Sequence, residues 1–128
     1  MKVVDSTLLL TDLHLRNSTP GYLKSQIDAL TEILIFEKPD EIIIMGDVFM
    51  HRRPSPTVLI EFRNFLETCK TWLPDWGAIH ILRGNHDSET KADDGVTALS
   101  LYEEKDKVYV HTHVAGLLGQ WKLAGIKG

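Results

Sequence analysis

The amino-acid sequence predicts an α/β fold in which a mostly parallel sheet is flanked by helices. Short apolar runs of strand length alternate with longer segments whose apolar residues recur at helical spacing. Strands that alternate with helices form parallel sheets through crossover connections. The composition, 43% hydrophobic and 25% charged, is that of an ordinary globular chain. The sequence therefore favours one domain, spanning residues 1–128, with a single core.

The predicted strands are short apolar runs that end at polar or turn-forming residues. The first three run from Ser6 to Asp12, from Glu41 to Met45 and from Ala78 to Leu82. A fourth runs from Lys107 to His111, and a fifth from Trp121 to Ile126. Apolar runs of this length are typical of buried strands in parallel sheets.

Helices are predicted between these strands. The first ends before Pro39, and the second begins with Ser55 as its N-cap and Pro56 in its first turn. A third helix can begin at Asp93 or Asp94. The apolar stripes of the first two helices are Leu23, Ile27, Leu30 and Leu34, and Leu59, Phe62, Leu66 and Cys69.

Composition and charge limit the classes of function that the protein can have. A lone cysteine, Cys69, rules out an intramolecular disulfide and is compatible with a reducing cytoplasm, where we expect the protein. No apolar run approaches the length of about 18 residues that spans a membrane, and the first ten residues do not form a signal peptide. The net charge of −4 gives no general attraction to nucleic acid. A nucleic-acid function must therefore depend on a local site.

Polar side chains follow each of the first three predicted strands. Because ligands bind beyond the carboxyl ends of parallel strands, we expect these side chains to share one edge of the sheet. Each motif alone also fits an ordinary turn, but three in chain order favour a site. They are Asp12 and His14 after the first strand, Asp47 after the second, and Asn85, His86 and Asp87 after the third.

These residue types suit a divalent metal ion. Carboxylate, imidazole and amide groups together fit Mn²⁺, Fe²⁺ or Zn²⁺ better than Ca²⁺. A carboxylate in the position of Asp47 can bridge two ions, which lie about 3.5–4 Å apart in two-metal sites. His51, Arg52 and Arg53 follow it, where they could meet an incoming phosphate.

The motifs D-x-H, G-D and G-N-H-D, in this order, resemble the signature of the calcineurin-like metallophosphoesterase superfamily. The segment GDVFMHRRPSP further resembles the G-D-x-F-…-R-P-S-P segment of nucleases that act in double-strand-break repair and phage recombination. The resemblance implies the front half of an αββα sandwich and a two-metal phosphodiesterase, usually dependent on Mn²⁺, with Mg²⁺, Fe²⁺ or Zn²⁺ as alternatives. It also implies DNA as substrate and an SMC-like coiled-coil ATPase subunit as partner.

The resemblance also implies roles for the residues that match. Asp12 and His14 would bind the first metal ion. Asp47 would bridge both ions, and Asn85 would bind the second. His86 would contact the phosphate and protonate the leaving oxygen, and Asp87 would orient its neighbours. The family often has His or Asp where Met50 stands, so His51 is either a phosphate contact or an exposed loop residue.

The remaining histidines and the end of the chain give further expectations. His80 is interpreted as a packed strand residue, and His111 and His113 as edge-strand residues that face solvent or a partner. The G-H-x-H motif of the resembling family is absent before Gly128. We therefore expect a domain that is incomplete on its C-terminal side and is completed by a C-terminal half or by a homodimer partner.

Two other functions stay open. One is a small-molecule or nucleotide phosphoesterase, which the acidic net charge favours. The other is a catalytically incomplete fragment that binds a partner or a metal.

Overall fold

The computed structural model describes residues 6–51, 53–82 and 107–111, and these contain four strands and two helices. The α/β class predicted from the sequence is confirmed. Helix α1 (Tyr22–Glu37) lies between the first two strands, and α2 (Pro56–Trp72) between the second and third. The strands are β1 (Thr7–Thr11), β2 (Glu41–Met45), β3 (Ala78–Leu82) and β4 (Val108–His111).

The four strands form one sheet in the order β1-β2-β3-β4, and every neighbouring pair is parallel. One row across the sheet consists of Leu9, Ile43, His80 and Tyr109. Since all strands point the same way, their carboxyl ends lie at one edge. This topology brings the loops that follow β1 and β2 to the edge of the sheet at which β3 also ends.

One face of the sheet packs against both helices. Its side chains alternate with those of the other face, as strand geometry requires, and they join Leu34 of α1 and Phe62 of α2 in a single buried cluster. Phe62 meets Phe49 edge to face, with ring centroids 5.4 Å apart. The strand residues in this cluster are Leu10, Ile42, Ile44, Ile79, Ile81 and Val108.

The helix ends follow the signals in the sequence. Ser55 caps α2, because its hydroxyl accepts a hydrogen bond from the Val58 N–H at 3.4 Å, and Pro56 takes the first helical position. Helix α1 ends where Lys38 turns left-handed (φ 46°) and its N–H donates to the Leu34 carbonyl. Cys69 is fully buried on α2, as predicted, and burial raises the pKa of its thiol to about 12.

The other face of the sheet buries polar groups. His80 is 2% exposed, which confirms its interpretation as a packed residue. Its Nδ1 lies 3.0 Å from Nε2 of His111, so one nitrogen donates and the other accepts. Its Nε2 lies 3.7 Å from Oε2 of Glu41, which is 1% exposed. The Tyr109 ring stacks on His80 at 5.4 Å.

We expected His111 to face solvent or a partner, and the expectation of a solvent-exposed side chain is wrong. The side chain is 9% exposed, because the register that sets Leu82 opposite His111 turns it to the same face as His80. Burial, and then the nearby His80, lower the pKa of His111. His113, the third predicted helix and the fifth predicted strand lie outside the described residues.

Candidate metal centre

The loops after β1 and β2 continue the hydrogen-bond pattern of the sheet beyond the strands. The Asp12 N–H donates to the Met45 carbonyl at 3.2 Å, and the His14 N–H donates to the Asp47 carbonyl at 3.0 Å. Gly46, with φ 61°, turns the chain as β2 ends and donates its N–H to the Leu82 carbonyl of β3. The backbone that carries the candidate ligands is therefore tied to its neighbours on the sheet.

Buried apolar residues anchor both loops directly after the polar ones. Leu15 is 1% exposed, and Val48 and Phe49 are fully buried. The Leu15 N–H donates to the Val48 carbonyl at 2.8 Å, and Leu15 and Phe49 form a parallel bridge. Pulling these side chains into the core leaves the polar residues before them at the surface of the sheet edge.

Asp12, His14 and Asp47 converge at this edge. Each offers one ligand atom, and the three atoms lie within 4.8 Å of one another. Asp12 is exposed, while the side chains of His14 and Asp47 are 36% and 21% exposed. In the described part of the chain, this is the group of His, Cys, Asp and Glu side chains that could hold a metal ion.

The spacing of His14 and Asp47 fits a shared divalent cation. His14 Nε2 and Asp47 Oδ2 lie 3.6 Å apart, too far for a hydrogen bond between them. Two atoms that each bind one ion at about 2.1 Å lie about 3.0–3.6 Å apart for bond angles of about 90–120°. The carboxylates of Asp12 and Asp47 carry like charge, and their ligand atoms lie within 4.8 Å, so they repel each other. A bound cation would relieve this repulsion.

All three candidate ligands have a left-handed backbone. The φ angles are 52° for Asp12, 49° for His14 and 45° for Asp47. This conformation costs about 1–2 kcal/mol for an L-residue, although Asp and His adopt it more readily than most. Strain of this kind persists where the surrounding structure imposes it, and it is common at functional sites. Thr11 adds a local restraint by donating its hydroxyl to Asp12 Oδ2 at 2.7 Å.

Among the described residues, the predicted phosphate contacts His51 and Arg53 are not in this group. His51 and Arg53 are exposed in the loop between Phe49 and α2. Their roles toward a phosphate stay predictions. Arg52, Asn85, His86 and Asp87 lie outside the described residues, and their roles stay predictions too.

The structure adds neighbours that sequence reasoning missed. The Arg16 guanidinium lies over the Tyr22 ring, 4.7 Å from its centroid, and Nη1 donates to the Met50 sulfur at 3.6 Å. Gln26 of α1 contacts the backbone of the loop that carries His14. The only sequence signal was the position of Arg16, two residues after His14.

A cavity of about 560 Å³ lies away from the metal group, between the amino ends of the two helices. Its lining includes Asn17, Gly21, Lys24 and Glu61, and none of the three candidate ligands. The Lys24 ammonium is paired with Asp28 at 2.6 Å. We therefore do not assign this cavity to the metal centre.

The fold and this edge together define an α/β domain with a candidate site for a divalent metal. A family model of calcineurin-like phosphoesterases matches residues 6–127, so the chain belongs to that family. Members of the family usually bind divalent metals. Membership supports hydrolysis of phosphoester bonds.

A solved structure shows the same fold. The crystal structure of the nuclease MPE of Pseudomonas putida matches with a TM-score of 0.56 and 22% sequence identity. The match covers 81% of this chain but 46% of that one, so the chain spans less than half the length of this neighbour. The comparison with curated proteins found no significant match. In the described residues, neither helix has the length and apolar character needed to cross a bilayer.

Proposed function

We propose that the protein is a metal-dependent phosphodiesterase that cuts DNA. The observation that carries the proposal is the convergence of Asp12, His14 and Asp47 within 4.8 Å at the carboxyl edge of the sheet. Family membership supports phosphoester chemistry, and the choice of a diester and of DNA is our inference. It draws on the R-P-S-P segment after Asp47 and on the fold shared with a nuclease.

The proposed centre holds two divalent ions, with Mn²⁺ favoured. Asp47 follows β2, which lies between β1 and β3 in the sheet, so we assign it the bridging position. Asp12 and His14 complete the first site, and Asn85 is proposed for the second. When bound, such ions polarise a phosphate and lower the pKa of a bound water to about 7.

The chain's own groups are assigned the remaining steps. His86 is proposed to contact the phosphate and to protonate the leaving oxygen, since an imidazole with an ordinary pKa of about 6.5 suits this task near neutral pH. Asp87 is proposed to orient its neighbours. These two assignments come from the resemblance of the G-N-H-D motif.

Substrate contact is proposed for the loop after Asp47. His51 and Arg53 are exposed there. Together with Arg52, Arg53 gives this loop a local positive charge, although the net charge of the chain is −4. Contacts to the phosphate backbone position DNA without reading its sequence. The proposed partners are a coiled-coil ATPase subunit and a second copy of this chain.

The test compares three substrates with the same protein and Mn²⁺. These are linear duplex DNA with labelled ends, bis-p-nitrophenyl phosphate and p-nitrophenyl phosphate. We expect cleavage of the DNA and of the diester in preference to the monoester. Arg53→Gln should raise KM for DNA and leave cleavage of the small diester unchanged, because the small diester does not extend to this loop.

Matched variants separate the alternatives. Asp47→Asn should abolish both diester activities, while Asp75→Asn, at an exposed aspartate before the amino end of β3, should abolish neither. Cleavage of the monoester alone would favour the small-molecule phosphoesterase that the acidic net charge allows. Mn²⁺ uptake without cleavage of any substrate would favour a non-catalytic role.

A further inference from the structure

Gln26 lies on the second turn of α1, half-buried, with its carboxamide directed at the loop after β1. Oε1 accepts a hydrogen bond from the backbone N–H of Arg16 at 3.3 Å. Nε2 donates to the Leu13 carbonyl at 3.2 Å and to the His14 carbonyl at 3.3 Å. These partners fix the orientation of the amide, because a carbonyl can only accept and an N–H can only donate.

The loop is therefore held from two directions. On the side of β2, the N–H groups of His14 and Leu15 donate to the carbonyls of Asp47 and Val48. On the side of α1, the Gln26 side chain forms hydrogen bonds with the carbonyls of Leu13 and His14 and with the backbone N–H of Arg16. One side chain thus bonds to the backbone on both sides of a candidate metal ligand.

This grip matters because the loop is strained. Both candidate ligands in it, Asp12 and His14, have positive φ angles. An isolated loop would relax toward extended or right-handed backbone, which would turn the two side chains away from Asp47. Hydrogen bonds that hold the carbonyls in place oppose that relaxation.

We infer that Gln26 is a positioning residue for the metal group. It contacts neither metal nor substrate, and it acts by keeping the loop in the conformation that points Asp12 and His14 at Asp47. The inference rests on the proposed function, since it assigns Gln26 a purpose only if the three side chains bind a metal. Groups that orient metal ligands typically change metal affinity by about 10–100-fold when they are removed.

Two variants test this inference with the full chain. Gln26→Met keeps the length and shape of the side chain and removes all three hydrogen bonds. Gln26→Glu keeps an acceptor for the Arg16 N–H and sets a carboxylate against the Leu13 and His14 carbonyls. The control is Thr31→Val, which removes a side-chain hydrogen bond to the Ile27 carbonyl (2.8 Å) on the same helix, away from the loop.

The measurements are Mn²⁺ affinity by isothermal titration calorimetry, the electron paramagnetic resonance spectrum of bound Mn²⁺, and thermal unfolding without metal. We expect Mn²⁺ to bind about 10–100-fold more weakly to Gln26→Met and Gln26→Glu, with an altered spectrum. Thr31→Val should bind as the wild type does. Should Gln26→Met fail to fold, Gln26→Glu carries the comparison.

The outcomes separate this inference from the proposal it rests on. If wild-type protein takes up no Mn²⁺, both the metal centre and the role of Gln26 are overturned. If wild type binds Mn²⁺ and the folded Gln26 variants bind it equally well, only the role of Gln26 is overturned. A lower unfolding temperature with unchanged affinity and spectrum would show that Gln26 acts on stability alone.

Discussion

The helix-covered core and the carboxyl edge of the sheet follow opposite rules. The core is apolar and closely packed, and its strand residues have ordinary extended backbone. The edge is polar and half-exposed, and Asp12, His14 and Asp47 all have positive φ angles. The core gains free energy from burial, whereas like charge and strained backbone at the edge cost free energy.

The comparison teaches that stability and proposed chemistry lie in different parts of one fold. Leu15 and Phe49 connect them, because each is buried and each follows a candidate ligand by one or two residues. The core therefore holds the edge in a conformation that the edge sequence alone would not keep. If this is right, a substitution of a candidate ligand should change metal affinity and leave the core folded, whereas a core substitution beside Phe49 should change both stability and metal affinity.

The largest expected effect is in the core. Phe62 is fully buried between Phe49 and Phe65. Phe62→Ala should lower the free energy of unfolding by about 3–5 kcal/mol, because it leaves a cavity that the rings cannot fill. Urea denaturation measures the loss. Mn²⁺ affinity of the folded protein should also fall, because Phe62 packs against Phe49, which follows Asp47 by two residues. Unchanged affinity would mean that the core does not hold the edge.

The next effect concerns the edge. Asp47→Asn keeps a side chain that tolerates positive φ and removes the charge. Calorimetric titration should show Mn²⁺ affinity weakened by at least about 100-fold, more than the loss expected for an orienting group. In the presence of EDTA the variant should still unfold cooperatively, because the buried core is unchanged. Loss of the folded state without metal would contradict the separation of the two regions.

A smaller effect tests the border between the regions. Ser55 caps α2, and its hydroxyl also donates to Asn17 Oδ1 at 3.2 Å. Asn17 follows the loop that carries Asp12 and His14. Ser55→Ala should lower the free energy of unfolding by about 1 kcal/mol and leave Mn²⁺ affinity unchanged. Ser55→Thr keeps a capping oxygen and should lose less. Weaker metal binding in Ser55→Ala would extend the edge to the start of α2.

The smallest effect concerns the buried polar cluster of Glu41, His80 and His111, on the face of the sheet opposite the helices. The pKa of His111 is lowered in the folded state by burial and by His80, so the unfolded chain takes up its proton first as pH falls. Stability should therefore fall as pH drops below about 6.5, the ordinary pKa of histidine. His111→Gln should show a shallower dependence in urea denaturation between pH 7.5 and 5.5.

The control for this dependence is His51→Gln, at an exposed histidine outside the cluster. It should keep the full pH dependence of the wild type. Equal slopes for wild type and His111→Gln would show that His111 does not cause the pH dependence.

Much of the fold was predictable from local sequence patterns. The predicted second and third strands match β2 and β3 residue for residue, and Ser55 caps α2 as its type and position indicated. The first strand was predicted one residue too long at each end, because Asp12 turns left-handed instead of continuing the strand. The α/β class is confirmed, because the alternation of strand-length and helix-length apolar patterns in the sequence predicts it directly.

The candidate site was only partly predictable. The parallel topology explains why Asp12, His14 and Asp47 could be expected at one edge. Gln26 could not be found in this way, since it bonds to residues 10–13 positions away and looks like any polar residue on a helix. The contact of His80 with His111 joins residues 31 positions apart, and no local pattern encodes it.

By itself, the sequence determined the strands and helices of the described residues and the residue types after β1 and β2, because hydrophobic periodicity and capping act over a few neighbouring residues. Only the tertiary structure decided the left-handed turns at the candidate ligands, the grip of Gln26 on their loop and the burial of His111. These depend on hydrogen bonds and packing between segments that are distant in the chain and meet only when the sheet and its helices are assembled.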